Sequence, residues 1–130
     1  MTSLFCGNKP QQHQKVVHAL RLAAERGDVA AIAALLDGSV EMVTDGGGRA
    51  PADARLVRGA PDVARRIVHV LEHQPAELAE REINGAPGLV LRRQGAVSAV
   101  VCVSVRHRRV TDLWVVFNPD KLLHWNRPAH

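Results

Sequence analysis

The stretch "AVSAVVCVSVRHRRVTDLWVVF", Ala96 to Phe117, sets two valine-rich runs on either side of a basic "RHRR". Both runs have the β-branched and aromatic composition of strands, and "HR" between them reads as a turn. In the first, the odd positions are Val97, Ala99, Val101, Val103 and Val105, and the even ones Ala96, Ser98, Val100, Cys102 and Ser104. In the second, Leu113, Val115 and Phe117 share one face, while Val110, Asp112, Trp114 and Val116 share the other. A strand with one face in water alternates apolar with charged residues, and these do not, so both faces of the sheet are expected to be covered. Helices gathered on one face leave the other to a partner, and the expected partner is a second copy: a homodimer packed sheet to sheet.

Upstream, "LAEREIN" and "PGLVLRR", punctuated by "NGAPG" and "QG", bring the meander to four consecutive antiparallel strands. Before them the period is helical. Val16, Leu20, Ala23 and Ala24 recur along a helix over Gln12 to Arg26. Gly27 then supplies a stop and Asp28 a cap for a second helix carrying Val29, Ile32, Leu35 and Leu36 on one face. Gly38 is expected to break that helix, and Val40 to Asp45 reads as a short strand with Val43 and Asp45 on one face and Met42 on the other. "ARLVRG" is a brief extended segment. "APDVARRIVHVLEH" is a third helix, opened by Pro61, with Val63, Ile67, Val70 and Leu71 as its apolar stripe. His69 and His73 fall off that stripe and read as solvent-facing. Helices followed by a meander make an α+β fold, with helices on one face of a curved, mainly antiparallel sheet.

The 130 residues suit one domain, read as a leader over residues 1–11, the domain over 12–125 and a tail over 126–130. Cys6 and Cys102 lie far apart in unlike surroundings and do not form a disulfide framework; Cys102 reads as a small core residue. No stretch approaches the roughly 18 apolar residues of a membrane span, and "MTSLFCGNKP" has no signal-peptide pattern, so a cytoplasmic protein without membrane contact is expected. Net charge is +4. The clusters Arg65-Arg66, Arg92-Arg93 and Arg106 to Arg109 have no stacking aromatics between them, so they read as solvated faces and no direct nucleic-acid contact is expected.

Candidate chemistry centres on "EMVTDGGGRA", Glu41 to Ala50. No Lys-Ser or Lys-Thr follows the glycines at Walker spacing, which argues against a phosphate loop. Asp45 could act as a general base at the mouth of a strand, or could accept N–H bonds from the glycine turn. Base catalysis also needs a group to hold developing charge, and the chain has no Tyr; Asp112 is a possible second acid. His69 and His73 lack a third ligand at suitable spacing, so neither a metal nor a cofactor is expected. No G-x-S-x-G occurs. In "FNPDKLLHW", Asn118-Pro119 ends the last strand, and Leu122, Leu123 and Trp125 must fold back to close a cavity or dock elsewhere.

"VTDGGGR", "VRGAPDVARRIV", "INGAPGLVLRRQGAVSAVV" and "NPDKL", in this order and spacing, resemble the SnoaL-like C-terminal domain of one group of extracytoplasmic-function sigma factors, within the nuclear transport factor 2-like superfamily. The resemblance runs from about His13 to Trp125. It implies a cone of three helices on a strongly bent sheet, a pocket between them, frequent dimers, and regulation of attached sigma regions. Carried over, Asp45, Gly46, Gly47, Gly48 and Arg49 form one regulatory element, and Asn118, Pro119, Asp120, Lys121 and Leu122 the other. The superfamily also includes isomerases, hydrolases and polyketide cyclases, and Asp45 falls about where ketosteroid isomerases carry their base. The residues before the first helix are too few for promoter recognition, which implies a stand-alone relative or a piece of a longer product. The leading expectation is a non-catalytic module whose pocket takes a small apolar molecule, lined by Asp45 and Trp114 with Asn84 and Asn118. Its partner would be a sigma factor or another protein. The rival is a small enzyme using Asp45.

Overall fold

A computed structural model of the protein describes residues 10–45, 54–73 and 75–117. Helices α1 (Pro10–Glu25) and α2 (Val29–Leu35) precede strands β1 (Leu36–Asp45) and β2 (Ala54–Arg58). Helix α3 (Ala60–His73) follows, and then the meander β3 (Glu77–Ile83), β4 (Ala86–Arg93), β5 (Ala96–Arg106) and β6 (Arg109–Val116). The strands form one curved six-stranded sheet in the order β2-β1-β6-β5-β4-β3, with the three helices packed on it. Every neighbouring pair is antiparallel except β1 and β6, which run parallel. That one long-range pairing closes the N-terminal hairpin onto the meander, and local pattern carries no sign of it.

The helix boundaries follow the capping residues. Gly27 adopts φ +65°, a conformation that favours glycine, and its N–H donates to the Ala24 carbonyl at 3.0 Å. The Asp28 carboxylate accepts from the Ala31 N–H at 3.0 Å, capping α2. Helix α2 nevertheless stops one residue sooner than its apolar stripe suggests. Leu36 already has extended backbone (φ −98°, ψ 143°), opens β1 opposite Val110, and is buried there. Gly38 therefore breaks no helix. It lies inside β1, in the irregular segment between the Leu36 and Glu41 pairings, where Asp37 accepts hydrogen bonds from both the N–H and the hydroxyl of Ser39.

All three meander turns use left-handed backbone. Asn84-Gly85 has φ 52° and 85°, and Gln94-Gly95 has 54° and 82°. His107-Arg108 holds 53° and 66° without a glycine. Positive φ at both central residues matches the twist of two-residue hairpins. A bulge in the β5–β6 ladder changes one side-chain assignment: Ser104 pairs with Asp112 but Val105 pairs with Val110, so an extra residue enters β6. Strict alternation put Val110 on the face of Trp114, whereas the bulge turns it to the helix side, where it is fully buried.

The main core lies between the helices and the inner face of the sheet, with Val17 and Leu20 of α1, Ile32 of α2 and Val63 of α3 against Leu36, Val40, Val105 and Val110. Helix α1 is also tied to the edge strand β3. Glu80 Oε2 accepts from Arg21 Nε at 2.6 Å and lies 2.7 Å from His18 Nδ1. Burial pushes the Glu80 carboxyl up, but the bonds from Arg21 and His18 prevail and hold it below its ordinary value.

His13, on α1, is the buried polar residue of the core, 3% exposed, and its Nε2 has no hydrogen-bond partner among the described residues. Burial depresses its pKa below the ordinary 6.5, against the backbone of Val103 and Pro87, which favours the charged ring. Between the folded and unfolded values the unfolded chain binds more protons, so stability should fall as pH drops below 6.5 and level off beneath the folded value. Urea melts from pH 8 to pH 5 test this: the His13→Gln variant is expected to show a shallower dependence. An unchanged slope in that variant would mean that His13 is not the group responsible.

Candidate functional site

Where α1 and α3 lean over the sheet, they leave a cavity of about 70 Å³. Leu20 and Ala24 of α1 and Ile67, Val70 and Leu71 of α3 form one wall. Met42 and Thr44 of β1 form the floor with Leu78, Leu89, Leu91 and Val101 of the meander, and Leu113, Val115 and Phe117 line the remaining side. The alternation that buries Met42 brings Thr44 to the same face two residues on. Where the strands end, the Phe117 N–H donates to the Asp45 carbonyl at 2.8 Å, fastening β1 to the end of β6.

Chemically this lining is nearly all hydrocarbon. Among the described lining residues there is no carboxylate, imidazole, thiol or amine, and the polar side chain is the hydroxyl of Thr44. The described lining suits an apolar molecule and, among the described residues, offers no carboxylate or imidazole for proton transfer.

Of the residues expected to line the pocket, the described ones, Asp45, Trp114 and Asn84, lie elsewhere. Trp114 lies on the outer face, paired with Val43 and Cys102 and 47% exposed, because β6 turns Leu113 and Val115 inward. Asp45 shares the outer side of β1 with Val43, beside Val116, since Met42 and Thr44 take the inner positions. Asn84 occupies the β3–β4 turn, where its left-handed backbone serves the hairpin and leaves it exposed, away from the cavity. Asp112 is exposed on the outer face. Asn118, and both expected regulatory elements, Gly46 to Arg49 and Asn118, Pro119, Asp120, Lys121 and Leu122, lie outside the described residues. Met42 and Thr44 were missed although the β1 alternation carries them. Once Met42 is taken as inward, Thr44 follows and Asp45 is excluded. The α3 contribution, Ile67, Val70 and Leu71, falls on the apolar stripe of the sequence. His69 and His73 are exposed, with ring centroids 4.1 Å apart.

The outer face of the sheet is a second surface of interest. Strand register aligns Leu56, Val43, Trp114 and Cys102 in one row across β2, β1, β6 and β5, and Leu56 is 49% exposed. Next to it Ile83, Val90 and Val100 form a small apolar cluster of their own, packed with Ala79, Val97 and Cys102. Cys102 thus belongs to this outer cluster, not to the main core, and burial pushes its thiol up.

No model of a known protein family matches the chain. It is 30% identical over 131 residues to the ECF RNA polymerase sigma factor SigJ of Mycobacterium tuberculosis, across 92% of this chain and 42% of that protein. The chain therefore spans less than half the length of this relative. The crystal structure of SigJ superposes with a TM-score of 0.65 at 30% identity, covering 85% of this chain and 43% of that one. A SnoaL-like protein of unknown function from Burkholderia thailandensis superposes at 0.63 with 17% identity, over 84% of this chain and 97% of the other. A putative ketosteroid isomerase from Kribbella flavida superposes at 0.60 with 15% identity, over 93% and 85%. At such identity these last two share the fold.

Proposed function

We propose that the chain is a non-catalytic, ligand-binding regulatory module, on the strength of its SnoaL-like, nuclear transport factor 2-like fold and its resemblance to the C-terminal region of the sigma factor SigJ. The observation that carries the reading is the cavity: an apolar space between helices and sheet whose described lining offers Thr44 as its polar side chain. Occupancy would be reported by Gly46 to Arg49 and Asn118 to Leu122, which follow directly on the two strand ends that Phe117 and Asp45 fasten together. The partner that reads this signal would be a sigma factor or another protein. An isomerase, hydrolase or cyclase reading rests on Asp45, whose place in β1 is on the side away from the cavity.

A ligand that binds only the folded chain raises its melting temperature by mass action. Small apolar compounds screened at saturating concentration are expected to include some that stabilise the domain. A broad apolar library without a single stabilising member would remove the basis for the proposal. The apolar row Leu56, Val43, Trp114 and Cys102 supports a second part of the reading, association of two copies through the outer face of the sheet.

A further inference from the structure

The volume and lining of the cavity bear on the class of ligand it could take. We propose that it takes a compact, uncharged, mainly hydrocarbon molecule bearing one hydroxyl or carbonyl oxygen, which the Thr44 hydroxyl recognises. This rests on the ligand-binding reading above and narrows it.

Size comes first. At about 70 Å³ the cavity is roughly half the ~150 Å³ engineered cavity that takes benzene, and well short of the ~300 Å³ at which pockets for drug-sized molecules begin. A short branched chain of about four or five heavy atoms suits that scale, against the α3 side chains Ile67, Val70 and Leu71.

Charge comes next. A carboxylate or ammonium placed among Leu20, Leu89, Leu113 and Val115 would have no counter-charge in the described lining to offset its desolvation. The ionic groups nearby in sequence are directed elsewhere. Asp45 is on the outer side of β1, and Glu80 is held by Arg21 and His18 at the edge strand.

Thr44 supplies the remaining specificity. Its hydroxyl is the polar side-chain group of the described lining, on a half-buried residue. A threonine hydroxyl both donates and accepts, so it serves a ligand hydroxyl or a carbonyl equally well. It stands in β1 next to Asp45, near the strand end, so a bound molecule places its apolar body inward and its oxygen toward that end.

A matched set of smaller probes tests this: isobutanol, isopentane, isobutyrate and isobutylammonium, titrated into the full chain and the Thr44→Val variant with binding read by calorimetry. Isobutanol should bind several-fold more weakly to Thr44→Val than to the wild type, the worth of one neutral hydrogen bond, and both ions should bind the wild type at least about tenfold more weakly than the alcohol. Thr44→Val keeps the shape and loses the hydroxyl, so isopentane should bind it as before. Equal binding of the ions and the alcohol, or an alcohol affinity unchanged in Thr44→Val, would overturn the assignment while leaving a ligand-binding cavity in place. Binding by none of the four probes would overturn the assignment and the ligand-binding reading together.

Discussion

Replacing Gly88 with alanine should destabilise the domain by about 1–3 kcal/mol, the usual cost of forcing a methyl group into a filled core. The position lies within β4 and its backbone is not left-handed, so conformational freedom is not the reason for glycine. The reason is space. A Cβ built there would sit 2.6 Å from Ile83 Cδ1 and 2.7 Å from the Val101 carbonyl oxygen. The Ile83 side chain can rotate aside at some cost, but the Val101 oxygen belongs to the neighbouring strand, and moving it means opening the β4–β5 ladder. Several degrees should be lost from the thermal midpoint of a domain of this length. Gly38→Ala is the matched control. Nothing lies within 4 Å of the Cβ it would add, and its effect should stay within about 0.5 kcal/mol. A Gly88→Ala protein as stable as the control would mean that β3 and β4 do not pack as described.

On the proposed sheet-to-sheet dimer, changing Trp114 to lysine should abolish association. Trp114 is the largest side chain on the outer face, and it stands near the middle of the row from Leu56 to Cys102. A tryptophan at the centre of an interface commonly contributes 2 kcal/mol or more, a loss of about thirtyfold or greater in affinity. Lysine replaces that apolar surface with a charge that the paired surface would have to desolvate. Half-exposed as it is, Trp114 contributes little to the fold of a single copy, so the variant should melt near the wild type extrapolated to low concentration. Sedimentation velocity at micromolar concentration should show a dimer for the wild type and a monomer for Trp114→Lys. A monomeric wild type, or a dimer untouched by the substitution, would place association elsewhere or nowhere.

Much of this architecture is legible in the chain because its signals are local. Asp28 announces a cap, Asn84-Gly85 and Gln94-Gly95 announce two-residue turns, and the valine runs announce strands. The places where the reading goes astray are those decided by contacts distant in sequence. Leu36 looks like the last member of a helical stripe but is drawn into β1 by pairing with Val110. Val110 in turn changes face because β6 takes in one extra residue opposite β5. The expected pocket residues fail for a related reason. Asp45 and Trp114 are chemically conspicuous, yet strand alternation has two solutions, and only packing of α1 and α3 against Met42, Leu113 and Val115 selects between them. The residues that make the cavity are plain aliphatic ones, which in a sequence look like any other core.

The claim that this apolar cavity is a binding site is tested most directly by methyl NMR of the full chain titrated with isobutanol. Saturable shifts are predicted at the methyl groups of Leu20, Leu89, Leu113 and Val115, with those of the outer-face Val43 and Val100 unmoved. Shifts confined to the outer face, or no saturable shift at any methyl group, would contradict the account.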